Sequence, residues 1–127
     1  MRGDCRREKN AAPDQSVLER TDPLGRQVRL AAGPWEHITK QHPEFRRRWE
    51  VIGAALGSPD EIYVSSTCSA DRHYYRLDRL DRQGREMYVK VIVRFPGQGP
   101  GKVITAYETT ERSRRGELEW PPRARRG

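Results

Sequence analysis

From Asp60 onward the chain is patterned in twos. Met87, Val89, Val91, Val93 and Phe95 alternate with Tyr88, Lys90, Ile92 and Arg94. Successive side chains of a strand point to opposite faces, so this run can bury its valines together only as a β-strand. Residues 62–66, 73–79 and 103–107 are similarly rich in β-branched and aromatic side chains. They are separated by turn residues such as Asp81 and Gly84 and by Pro96-Gly97-Gln98-Gly99-Pro100-Gly101. Four strands in succession with short connections predict an antiparallel meander, one face packed and the other free to present cations and phenols.

The segment ahead of this run changes period. Gln27-Val28-Arg29-Leu30 reads as a short strand, and Gly33-Pro34 then opens a helix, where the missing proline N–H costs nothing in the first turn. His42 precedes Pro43, which drives it out of the α region, so this helix is expected to stop near Gln41. A second helix is expected over 44–56, because Phe45, Trp49, Ile52 and Leu56 fall on one stripe. Gly57-Ser58-Pro59-Asp60 ends it. The expected fold is therefore α+β, with two N-terminal helices packed on a four-stranded antiparallel sheet. Residues 1–22 mix charge with Ala, Pro and Ser without apolar period and read as a flexible lead-in. Residues 23–110 read as the domain, and residues 111–127 as a basic flexible tail ending in Arg123, Arg125 and Arg126.

Charge bears on partners. The 127 residues carry a net charge of +7, of which the middle segment and the basic tail supply all. A chain with this balance suits a polyanion, since each cation that neutralises a phosphate releases a counterion. Basicity also serves solubility alone. Cys5 and Cys68 are the only cysteines and show no CxxC spacing, so neither a zinc site nor a disulfide framework is expected. No apolar run approaches the roughly 18 residues of a membrane span, and the expectation is a cytoplasmic protein with no membrane partner, or a fragment of a larger one.

The chemistry centres on residues 33–44, which hold two of the three histidines. His37 and His42 are five apart, about 140° around an ideal helix, which is not a metal-binding pair. No metal or other cofactor is expected. Metal-free RNA cleavage needs a base for the 2′-hydroxyl proton, an acid for the leaving 5′-oxygen, and cations or hydroxyls for the charge gathering on phosphorus. His37 is the first candidate for acid or base, since imidazole titrates nearest neutrality. His42 can instead cap the helix end. Arg76, Lys90 and Arg94 are strand cations suited to phosphate, and Thr105 and Tyr107 put a hydroxyl and a phenol on one face. His73 and Tyr75 are candidate RNA contacts, as is Arg46, although Arg46, Arg47 and Arg48 equally describe a solvated helix face.

The order WEHITKQHPEF, a short helix ending in SPDEI, then HYYRL, MYVKVIVRF and VITAYET resembles the phage-associated branch of the barnase, EndoU, colicin and RelE-like nuclease superfamily. The resemblance spans residues 24–110. It implies helices on a four-stranded antiparallel sheet and metal-independent endoribonuclease activity, with use as a toxin or phage-encoded effector and an acidic immunity or antitoxin partner. By resemblance His37 matches the helix histidine, Arg76 the strand cation and Thr105 the hydroxyl of the last strand, while His42, Lys90 and Tyr107 match positions without an assigned role. Two rivals stand beside this reading: a non-catalytic RNA- or DNA-binding domain using the arginines and stacking tyrosines, and an interaction module of a larger phage or secreted protein.

Overall fold

The computed structural model describes residues 15–110 and 114–122. In chain order the elements are β1 (Ser16–Thr21), β2 (Gln27–Ala31), α1 (Ala32–Gln41), a 3₁₀ turn (Pro43–Phe45), α2 (Trp49–Gly57), β3 (Glu61–Val64), β4 (Asp71–Leu80), β5 (Glu86–Arg94), β6 (Gly101–Thr109) and β7 (Glu117–Trp120). All seven strands join one sheet, in the order β1-β2-β6-β5-β4-β3-β7.

This corrects the expected fold. The sheet is seven-stranded and mixed, not a four-stranded antiparallel meander, and the two helices lie on a larger layer than the sequence pattern implied. The four strands of the expected meander occupy its centre as β3–β6, β2 is the short strand expected over 27–30, and β1 and β7 are two further strands. β1 and β2 form a hairpin that attaches to β6 through a parallel pairing, Val28 opposite Gly101 and Arg29 opposite Lys102. β7 adds antiparallel to β3. β1 falls in the stretch read as a flexible lead-in and β7 in the stretch read as a tail. Both lack strong alternation because they are short edge strands, which in native sheets carry charge rather than a continuous apolar face. Arg123, Arg125, Arg126 and Cys5 lie outside the described residues.

Two turns use the same chemistry. In Asp22-Pro23-Leu24-Gly25-Arg26 the Asp22 carboxylate accepts from the amides of Leu24 and Arg26 and from Arg26 Nε, each at 2.9 Å, and Gly25 takes φ +85°. In Asp81-Arg82-Gln83-Gly84-Arg85 the Asp81 carboxylate accepts from the amides of Gln83 and Arg85 and from Arg85 Nε, and Gly84 takes φ +79°. An aspartate that satisfies the turn's own amides, followed by a glycine free to adopt positive φ, explains why both segments reverse.

One face of the sheet carries the core. Val89, Val91 and Val93 of β5 are buried with Ile62, Tyr74, Val103 and Ala106, under Ile38 of α1, Phe45, and Ile52 and Leu56 of α2. α2 lies across β1, β4 and β5, and α1 against β2 and β6. The helical segment expected over 44–56 is broken: the 3₁₀ turn buries Phe45, and α2 starts only at Trp49, which is 44% exposed rather than part of the buried stripe. Between them Arg48 turns toward the sheet, its guanidinium on Asp78 at 2.9 Å and Glu108 at 3.2 Å. Cys68 is buried and disulfide-bonded, although the sequence offers no disulfide framework. No helix among the described residues is long and apolar enough to cross a membrane.

Candidate functional site

The sheet face away from the helices gathers most of the side chains that carry chemistry. Register places Glu61 of β3, Tyr75 of β4, Lys90 of β5 and Tyr107 of β6 directly opposite one another, in one row across four strands. The next row is Tyr63, His73, Ile92 and Thr105. Neighbouring strands are about 4.8 Å apart, so each row spans about 14 Å of the face and its neighbouring members lie side by side.

Lys90 is the centre of the first row. Its Nζ lies 5.3 Å from the Tyr75 ring centroid and 5.5 Å from that of Tyr107. Desolvation works to lower the pKa of the ammonium, but hydrogen-bonding attraction to the Tyr107 and Tyr75 hydroxyls outweighs it and the net direction is upward. Lys90 is thus a permanently charged cation at neutral pH, suited to a phosphate and unsuited to accepting a proton. His42 reaches the same row from the helix layer. At the C-terminal cap of α1, its imidazole stacks on Tyr107 with centroids 5.9 Å apart and planes 29° from parallel, and its Nδ1 lies 3.8 Å from Glu44 Oε2. Here α1 runs beside β6 beyond the short β2 pairing, which lets a residue at the helix end reach the open face.

His73 stands in the second row. Burial, then the nearby Lys90 charge, push its pKa down to about 4 against a smaller upward pull from Asp71. The ring is neutral at physiological pH and offers one donor and one acceptor. Thr105, two residues before Tyr107 on β6, shares this face. Arg94 also lies on it, but Asp71 holds its guanidinium bidentately at 2.8 and 3.1 Å, so most of its charge is answered within the protein.

The remaining candidates lie elsewhere. Arg76 pairs with Val89 in register and so points to the helix-covered face, where its guanidinium donates to the Ser58 carbonyl. It cannot join Lys90 at one phosphate, because the sheet separates them. His37 is exposed on α1, and no hydrogen bond, ion pair or ring contact links its side chain to another described residue. Arg46 is exposed, as a solvated helix-flanking residue would be. Among the described residues, no three His, Cys, Asp or Glu side chains converge as a metal site would require.

Three participants escaped the sequence reading. Arg114 sits with its guanidinium 3.8 Å above the Tyr75 ring and 4.9 Å from that of Tyr88, with Nε 3.0 Å from Glu61. Tyr63 packs edge-on to Tyr75 at 6.1 Å. For Tyr88 the alternation of β5 held the signal, since it stands two residues from Lys90. Arg114 had no local signal, because only the pairing of β7 with β3 returns the chain over this face. Comparison of the chain with protein-family models, with curated proteins and with solved structures found no match.

Proposed function

We propose that the open sheet face is the active surface of an endoribonuclease that needs no metal for cleavage. The observation that carries this reading is the row Tyr75–Lys90–Tyr107 with His42 stacked on its end. It combines a fixed cation, the Tyr107 phenol and an imidazole, all partly exposed, around the buried Tyr75 ring in a basic protein. In the proposed reaction the 2′-hydroxyl loses its proton to a base and its oxygen attacks the adjacent phosphorus. The 5′-oxygen then leaves with a proton from an acid, and a 2′,3′-cyclic phosphate remains. Lys90 stabilises the charge on the phosphorane oxygens, His42 acts in proton transfer, and Tyr107 orients His42. Thr105 and neutral His73 hydrogen-bond the ribose or phosphate.

This arrangement moves the proton-transfer role from His37 to His42 and leaves Arg76 a structural part. The test is incubation of the purified protein with labelled total RNA in excess EDTA. Cleavage is expected to fall by about 10²–10⁴ in His42→Ala, the usual contribution of a general acid or base, and comparably in Lys90→Met, with little change in His37→Ala. Intact RNA combined with salt-sensitive binding would instead identify a non-catalytic RNA-binding module.

A further inference from the structure

Beside the Lys90 row lies a recess of about 420 Å³ lined by Asp60, Glu61, Tyr63, Leu77, Tyr88 and Arg114. Its walls differ in kind from the catalytic row. Two phenol rings and an isobutyl group supply flat and apolar surface, and Arg114 supplies a planar cation already stacked on Tyr75 and Tyr88. Leu77 is 42% exposed on the same sheet face, in register with Tyr88. The polar groups of the rim are largely occupied: Asp60 accepts from the Leu77 amide at 2.7 Å, Glu61 from Arg114, and the Tyr88 hydroxyl donates to Glu86 at 2.8 Å.

From this lining we infer that the recess is a nucleobase-stacking subsite, holding the base of a nucleotide whose phosphate lies on Lys90. Tyr75 joins the two regions, since Lys90 and Arg114 both lie over its ring. A single-stranded nucleotide laid along the row places its phosphate at the ammonium and its base against Tyr88 and Leu77, with the Arg114 guanidinium, 10% exposed, backing the Tyr88 ring, as unstacked RNA bases pack on aromatic faces. Because both carboxylates and the Tyr88 hydroxyl are engaged within the protein, recognition comes mainly from stacking area rather than from hydrogen bonds to one base edge. The subsite therefore accepts all four bases and holds purines more tightly than pyrimidines. The inference rests on the ribonuclease reading for the identity of the bound polymer.

The test is an amide-resolved NMR titration of the whole protein in EDTA with AMP, GMP, CMP and UMP, and with ribose 5-phosphate and inorganic phosphate as controls. Nucleotides are expected to shift Tyr63, Leu77 and Tyr88, purines binding several-fold tighter, while the two controls leave these residues in place. Tyr88→Ala is expected to weaken AMP binding by about tenfold or more, and Tyr88→Phe to preserve it. Leu77→Ser serves as the second probe should Tyr88→Ala fail to fold. Equal shifts from ribose 5-phosphate, or unchanged AMP binding in the folded variant, would overturn the subsite. RNA cleavage without nucleotide shifts in the recess removes the subsite and leaves the ribonuclease. Nucleotide shifts without cleavage do the reverse.

Discussion

His73 shows how a single side chain on the open face couples the site to stability. With its folded-state pKa near 4 and an unfolded value near 6.5, the unfolded chain takes up a proton between these limits that the folded protein refuses. Protonation then favours unfolding. The His73 contribution is complete above about pH 6.5 and is lost progressively as the pH falls toward 4. Allowing for the ring's partial solvent contact, the expected loss is on the order of 1–2 kcal/mol. Urea unfolding of the native protein and His73→Phe at a series of pH values checks this, the variant showing the shallower decline. Asp22 matters to stability through hydrogen bonding. Its buried carboxylate accepts the Tyr74 hydroxyl at 2.6 Å as well as the turn amides, and Arg26 carries the connection on to Glu119 of β7 at 2.9 Å. Asp22→Ala strands a buried phenol and the two amides, with an expected cost of about 3 kcal/mol in unfolding free energy, seen as a lower urea midpoint.

At the scale of elements, the two added edges hold the site in place. β7 returns the chain along β3, and Gly116 makes this possible: its φ is +99°, and a Cβ there would collide with the Val64 carbonyl. Gly116→Ala is therefore expected to loosen β7 and free Arg114 from Tyr75, seen as faster amide exchange across 117–120 with β5 protection retained. Arg48 plays a similar part on the helix side, where it and Arg79 share Asp78 and Glu108. Arg48→Ala is expected to cost only about 1 kcal/mol, because Arg79 continues to answer both carboxylates. The legible elements were those with strong period. β5 declared both faces through alternation, and α1 ended where His42-Pro43 required. β1 was missed although its turn, Asp22-Pro23-Leu24-Gly25-Arg26, repeats the pattern of Asp81-Arg82-Gln83-Gly84-Arg85, which was recognised as a turn. The difference lay in the flanks, since β5 follows one turn with alternating valines while Ser16–Thr21 buries little beyond Leu18.

For the molecule as a whole, basicity and topology act together. The net charge of +7 favours no particular face, and on the proposed ribonuclease reading RNA binding is expected to weaken steeply with salt. Lys90→Met should lower the slope of log K against log salt by about 0.7 for single-stranded RNA, the share of one phosphate contact, whereas Arg76→Met should leave it unchanged. Local period and turn chemistry encode the central strands, the short strand at 27–30, the faces of β5, the end of α1, and the residue types able to handle phosphate. Tertiary structure decided which of those residues meet. Arg76 and Lys90 are both strand cations, but cross-strand register sends one beneath the helices and the other to the open face. His42 rather than His37 joins Lys90 because the end of α1 passes the uncovered part of β6. Those outcomes depend on pairings between residues far apart in the chain, such as β2 with β6 and β3 with β7, whose geometry no local pattern contains.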